Sequence, residues 1–106
     1  MIIALDFDGV LVKHGGIPRK YGEGLFKDPP MEYALDAVKW LIKEGHEVYI
    51  LTGRLEKDWD DVRAWLVKWG FPPLEVTNVK QLKTRLIIDD RCLRFTNWQD
   101  VCKYFG

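Results

Sequence analysis

Three short apolar runs, each stopping at a polar residue, constrain this chain more than any other feature. Ile2-Ile3-Ala4-Leu5 stops at Asp6, Val48-Tyr49-Ile50-Leu51 stops at Thr52, and Leu86-Ile87-Ile88 stops at Asp89-Asp90. Unbroken apolar runs this short suit strands buried on both faces. Helical spacing fills the intervals. Ala34, Ala37, Val38, Leu41 and Ile42 form one stripe, with Pro30 placed for a first helical turn and Gly45 as the stop. Trp59, Val62, Trp65, Leu66 and Trp69 form a second, with Asp58 placed as its cap, Asp60 and Asp61 in its first turn, and Gly70 and Pro72-Pro73 at its end. A short strand is expected near 74–77. Asn97 is placed to cap a last helix carrying Trp98, Val101, Cys102 and Phe105, whose spacing of three and four predicts core packing. The order β-α-β-α-β-β-α predicts an α/β fold: a Rossmann-like three-layer sandwich, with helices on both faces of a mostly parallel central sheet.

At 106 residues the chain has room for one domain, expected over 1–106. Its 47% hydrophobic and 30% charged residues are ordinary for a folded globular domain and exclude a disordered one. Sixteen basic residues balance sixteen acidic ones, which argues against a generally nucleic-acid-binding or membrane-surface protein. No apolar run approaches the roughly 18 residues of a membrane span, and the first residues lack the basic stretch of a signal peptide. Cys92 and Cys102 match no metal-binding spacing and are too few for a disulfide framework. The cytoplasm is the default compartment.

The polar residues that end the strands point to chemistry. In an open parallel sheet, ligands bind beyond the carboxyl ends of the strands. Asp6, Thr52 and Asp89-Asp90 are therefore expected to converge, and Asp8 adds a fourth acid. Crowded carboxylates raise one another's pKa values unless a cation joins them. A few hard oxygen ligands suit Mg²⁺, which keeps several waters and a substrate phosphate oxygen. Gly9 lets the chain turn away after Asp8.

These residues resemble a known family. Asp6-Phe7-Asp8-Gly9-Val10 is similar to motif I of the haloacid dehalogenase (HAD) superfamily phosphatases, and Thr52-Gly53-Arg54 to motif II. Lys80, nine residues before Asp89, is similar to the motif III lysine, and Ile87-Ile88-Asp89-Asp90 to motif IV. The four stand in the family's order and span most of the chain. The resemblance implies Asp6 as nucleophile, forming an aspartyl-phosphate, and Asp8 as general acid and then base. Thr52 and Lys80 would hold the phosphoryl group, with Gly53 and Arg54 as substrate contacts. Asp6, the backbone carbonyl of Asp8, and Asp89 or Asp90 would hold Mg²⁺. The chain departs from the pattern at Val10, where many members have Thr, and at Gln81, where many have Pro. Lys83, only six residues before Asp89, is the weaker choice for the lysine.

The gaps between motifs leave no room for a cap domain, so the resemblance implies a capless member with an open site. Open sites suit large or macromolecular phosphorylated substrates, or a neighbouring subunit serving as lid in a homo-oligomer. Nucleic acid enters only as such a substrate. The loop 13–28, with Lys13, His14, Arg19, Lys20 and Lys27, is placed to steer an anion inward or simply to be solvated. Two alternatives compete with the Mg²⁺-dependent phosphomonoesterase. One is a catalytically idle HAD-like domain that binds a phosphorylated partner. The other is a response-regulator receiver, which is disfavoured because the adjacent acid pair comes late and the lysine precedes it.

Overall fold

The computed structural model describes residues 1–13 and 28–106. The elements run β1 (Ile2–Leu5), α1 (Ala34–Lys43), β2 (Glu47–Leu51), α2 (Trp59–Lys68), β3 (Val76–Thr77), β4 (Thr84–Ile88) and α3 (Trp98–Tyr104). The strands form one sheet in the order β3-β2-β1-β4, every pair parallel. This is the Rossmann-like α/β arrangement with a parallel sheet that the alternation of strand and helix patterns predicts, although α1 and α2 both pack on one face of the sheet rather than one on each. None of the described helices is long and apolar enough to cross a membrane.

The core lies on one face of this sheet. Ile3 and Leu5 of β1 and Val48 and Ile50 of β2 pack with Val38 of α1 and Val62, Trp65 and Leu66 of α2. Two crossovers stepping in the same direction, β1 to β2 to β3, put both helices on the same side. Trp65 is the centre of that core: it is fully buried, meets Phe7 edge to face at 5.1 Å, and donates from its indole Nε1 to the Asp28 carbonyl at 2.9 Å. The other face is covered at Tyr49, whose hydroxyl lies 2.6 Å from Thr84 Oγ1 and accepts from the Gln81 N–H at 3.0 Å. The segment between β3 and β4 therefore crosses the sheet over Tyr49.

Three expectations about the helices need correction, and one about β4: its run, read as buried on both faces, lies at the sheet edge with Leu86, Ile87 and Ile88 exposed. The first helix begins at Ala34 rather than near Pro30. Pro30 is occupied in an antiparallel bridge with Val12, and Met31 N–H donates to the Leu11 carbonyl at 2.7 Å, so the chain is still extended there. Asp58 does not cap α2 with its side chain. It closes a 3-10 turn, Glu56–Asp58, in the right-handed helical region, where its carboxylate cannot fold back over the helix end as an extended cap residue does.

The third correction is to α3. Asn97 caps it as expected, its side chain accepting from the Asp100 N–H at 2.9 Å. The stripe of Trp98, Val101, Cys102 and Phe105 is nonetheless not core: no residue of the helix is buried. Among the described residues the helix packs broadly against no other element, so its apolar stripe has no partner there. Trp40, on α1, is likewise exposed, whereas Trp59 and Trp69 pack against the core. Most of the predicted basic loop, residues 14–27, lies outside the described residues.

Candidate active site

Strand register builds the acid cluster. Leu5 pairs with Ile88, and the Asp6 N–H continues the ladder by donating to the Ile88 carbonyl at 2.9 Å. The residues that follow, Asp6 on one strand and Asp89-Asp90 on the other, therefore emerge side by side at the carboxyl edge of the sheet. One carboxylate oxygen from each of Asp6, Asp89 and Asp90 lies within 4.8 Å of the others. Local hydrogen bonds fix two of them. Asp6 Oδ1 accepts from the Phe7 N–H at 2.8 Å, and Asp89 Oδ1 accepts from the Arg91 N–H at 2.8 Å.

Phe7 sets the direction of its neighbours. Its ring is fully buried against Trp65, so the flanking Asp6 and Asp8 side chains are turned out of the core toward the edge. After Asp8 the chain folds back tightly. Gly9 takes φ 83°, a conformation that costs a residue with a Cβ, and its N–H donates to the Val12 carbonyl at 3.0 Å.

Asp8 does not join the other three acids in the candidate cation cluster. Both of its carboxylate oxygens are taken by Arg54: Nε donates to Oδ2 and Nη2 to Oδ1, each at 2.8 Å. The guanidinium also lies over the Phe7 ring, 5.7 Å from its centroid. The Arg54 backbone is pinned in turn, its carbonyl accepting from Trp59 Nε1 at 3.0 Å and its N–H donating to Thr52 Oγ1 at 3.1 Å. A bidentate Arg–carboxylate fork fixes orientation as well as charge. The sequence placed Arg54 beside the site but gave no signal of this pairing, which spans 46 positions.

Thr52 is buried at the end of β2, where its N–H donates to the Thr77 carbonyl at 2.9 Å. Gly53 is exposed, and a Cβ built there would meet nothing within 4 Å, so its backbone is open to a ligand. Lys80 lies three residues beyond the end of β3, exposed, and makes no ion pair with the acids among the described residues. Lys83 is exposed on the same crossing segment. Cys92, unassigned in the sequence, is an exposed free thiol.

The cluster has the electrostatics of a cation site. Asp6 is pushed up from 3.8 to about 6. Burial is the main cause; the Phe7 N–H pulls the value down, and the charges of Asp89, Asp90 and Asp8 push it further up. Three carboxylates this close repel when ionised, and their hard oxygens are the donor type that a Mg²⁺-like ion takes. The residues present fit such an ion, with Asp6, Asp89 and Asp90 as its protein ligands.

No protein-family model matches the chain. A Bacillus cereus protein described as a "Putative nucleotidase" is 37% identical over 43 residues, which is 41% of this chain. The match covers 23% of that relative, so the chain spans well under half of its length. A solved structure of a conserved protein from Bacteroides thetaiotaomicron superposes with a TM-score of 0.65 at 24% identity, over 99% of this chain and 88% of that one. This second likeness establishes the fold and carries nothing about activity.

Proposed function

We propose that the chain is a phosphomonoester hydrolase of the HAD type, acting through an aspartyl-phosphate on Asp6. The observation that carries the reading is the placement of Asp6. It combines a half-buried carboxylate, two neighbouring acids within ligand distance and a second acid, Asp8, oriented separately by Arg54. The partial likeness to a protein described as a nucleotidase supports a phosphate-ester substrate.

In the first step an Asp6 oxygen attacks phosphorus, the bond from phosphorus to the ester oxygen breaks, and Asp8 gives its proton to the departing alkoxide. In the second, Asp8 takes a proton from water, the water oxygen attacks the phosphorus of the aspartyl-phosphate, and phosphate leaves with Asp6 restored. A divalent ion held by Asp6, Asp89 and Asp90 would supply positive charge against the phosphoryl oxygens. Thr52, the backbone at Gly53 and Lys80 hold the phosphoryl group. Arg54 acts through Asp8: a phosphoryl group entering the site competes for the same guanidinium, which loosens the fork as Asp8 is needed. The short gaps between the motifs support an open site and a large or macromolecular substrate.

Trapping the intermediate tests this reading. Asp8→Asn removes the base of the second step, so acid-quenched protein incubated with an aryl phosphate and Mg²⁺ should carry a phosphoryl group on the Asp6 peptide by mass spectrometry. A phosphoryl group on another residue, or turnover with none trapped, contradicts it.

A further inference from the structure

The segment that crosses from β3 to β4 carries Lys80, and apolar packing does little to hold it. Val79 and Leu82 are 69% and 98% exposed. Hydrogen bonds hold it instead, and they meet at one side chain. Tyr49 of β2 points to the face opposite Ile50 and is fully buried. A phenylalanine ring would pack there as well; the hydroxyl adds two bonds. It accepts from the Gln81 N–H at 3.0 Å and lies 2.6 Å from Thr84 Oγ1. The Thr84 N–H donates in turn to the Gln81 carbonyl at 3.1 Å, so Tyr49 is bonded to both ends of one tight turn. Two further bonds fix the approach to that turn. The Val79 N–H donates to Thr77 Oγ1 at 3.1 Å, and Gln81 Nε2 donates to Glu75 Oε2 at 3.1 Å. Lys80 therefore leaves a backbone that is tied at the residue before it and at the residue after it.

We propose that Tyr49 is a positioning residue: its hydroxyl holds the crossing segment so that Lys80 meets the phosphoryl group at the acid edge. The inference rests on the reading of Lys80 as the lysine that holds that group. Strand register sets the direction. Tyr49 is level with Ala4, two residues short of Asp6, roughly 7 Å along the strand. The crossing segment starts at Thr77, whose carbonyl is bonded to Thr52 at the acid edge, and ends at Thr84, which is level with Ile2 at the opposite edge. Lys80 is thus one residue nearer the acids than Gln81, and its stem has a short way to reach. Lys83, beside Thr84, lies toward the opposite edge. An ammonium on a flexible four-carbon stem is placed only as well as the backbone it leaves. Gln81 supplies the other half of the hold, an N–H that a proline at this position could not donate.

Two measurements test it. Amide hydrogen exchange reads the hold directly: Tyr49→Phe should speed exchange at Gln81 and leave Ile50, inside the sheet, unchanged. An unchanged rate at Gln81 overturns the inference. Calorimetric titration with inorganic phosphate in the presence of Mg²⁺ reads the consequence at Lys80. Tyr49→Phe should bind phosphate about 3- to 10-fold more weakly, the range of one lost hydrogen bond, with far-UV circular dichroism unchanged. In a Lys80→Ala background the same substitution should change affinity by less than about twofold, because the group it positions is gone. An equal loss in both backgrounds marks a general structural effect and overturns the inference. If Lys80→Ala weakens phosphate binding and Tyr49→Phe does not, the inference alone fails. Phosphate binding that Lys80→Ala leaves intact, or that only Lys83→Ala weakens, removes Lys80 from the site and takes the inference with it.

Discussion

At the scale of single residues, the site depends on which acid meets which partner. Asp8 and Asp6 stand two positions apart, yet one is held by a guanidinium and the other by a backbone N–H among further acids. Arg54→Ala should therefore lower kcat by about 10²-fold through misplacement of Asp8, with a smaller change in KM. Arg54→Lys should recover only part, since an ammonium cannot form the fork. A pure KM effect, measured by steady-state kinetics, would return Arg54 to the role of a substrate contact. Asp6 gives a pH signature. Its carboxyl is pushed up from 3.8 to about 6 in the fold, so the protonated form favours folding. That contribution is complete below 3.8 and lost as pH rises through about 6. Metal-free protein should accordingly lose stability over that window relative to Asp6→Asn, by on the order of 1 kcal/mol once solvent screening of a half-exposed group is allowed for. Parallel pH profiles of thermal unfolding for the two proteins would contradict this. The positions of Asp6, Thr52 and the Asp89-Asp90 pair at one sheet edge were legible because polar residues that end apolar runs need a reason to be there. The Arg54–Asp8 fork was not, because no local pattern encodes a contact between distant loops.

At the scale of elements, a few buried aromatics convert sequence pattern into site geometry. Phe7 lies between two site acids and anchors both by packing on Trp65. Trp65→Ala should destabilise the fold by about 3–5 kcal/mol, the usual cost of emptying a large aromatic site. Because it also frees Phe7, it should lower activity at temperatures where the protein is still folded. Chemical denaturation with a parallel activity assay checks both; loss of stability without loss of activity would sever Phe7 from the site. β1, β2 and the stripes of α1 and α2 were legible because Ile3, Leu5, Val48, Ile50, Val38, Val62 and Trp65 bury their side chains in one core, whereas the apolar run of β4 stays exposed at the sheet edge. The start of α1 was not. Pro30 fits a first helical turn, but a bridge to Val12 claims it, and the helix waits until after Tyr33, an exposed residue in the left-handed region at φ 66°. The stripe of α3 has the same periodicity as the others but, among the described residues, packs broadly against no other element. Periodicity reports that a face is apolar and leaves open what covers it.

At the scale of the molecule, balanced charge conceals an uneven distribution. Four of the sixteen acids, Asp6, Asp8, Asp89 and Asp90, gather at one edge of the sheet with Arg54 among them, which leaves twelve acids against fifteen bases elsewhere. The parallel order β3-β2-β1-β4 makes this possible by ending β1, β2 and β4 at the same edge. An anionic site in a mildly cationic body suits a small cation first and an anionic ester second. The central claim is that Asp6 attacks phosphorus at this edge with a divalent ion beside it. It is tested most directly by phosphate release from an aryl phosphate, measured against Mg²⁺ concentration for the wild type and Asp6→Asn. Saturable Mg²⁺-dependent release by the wild type, with the variant reduced to the uncatalysed rate, is the predicted result. Release that persists in Asp6→Asn, or that is unchanged after chelation of divalent ions, would contradict it.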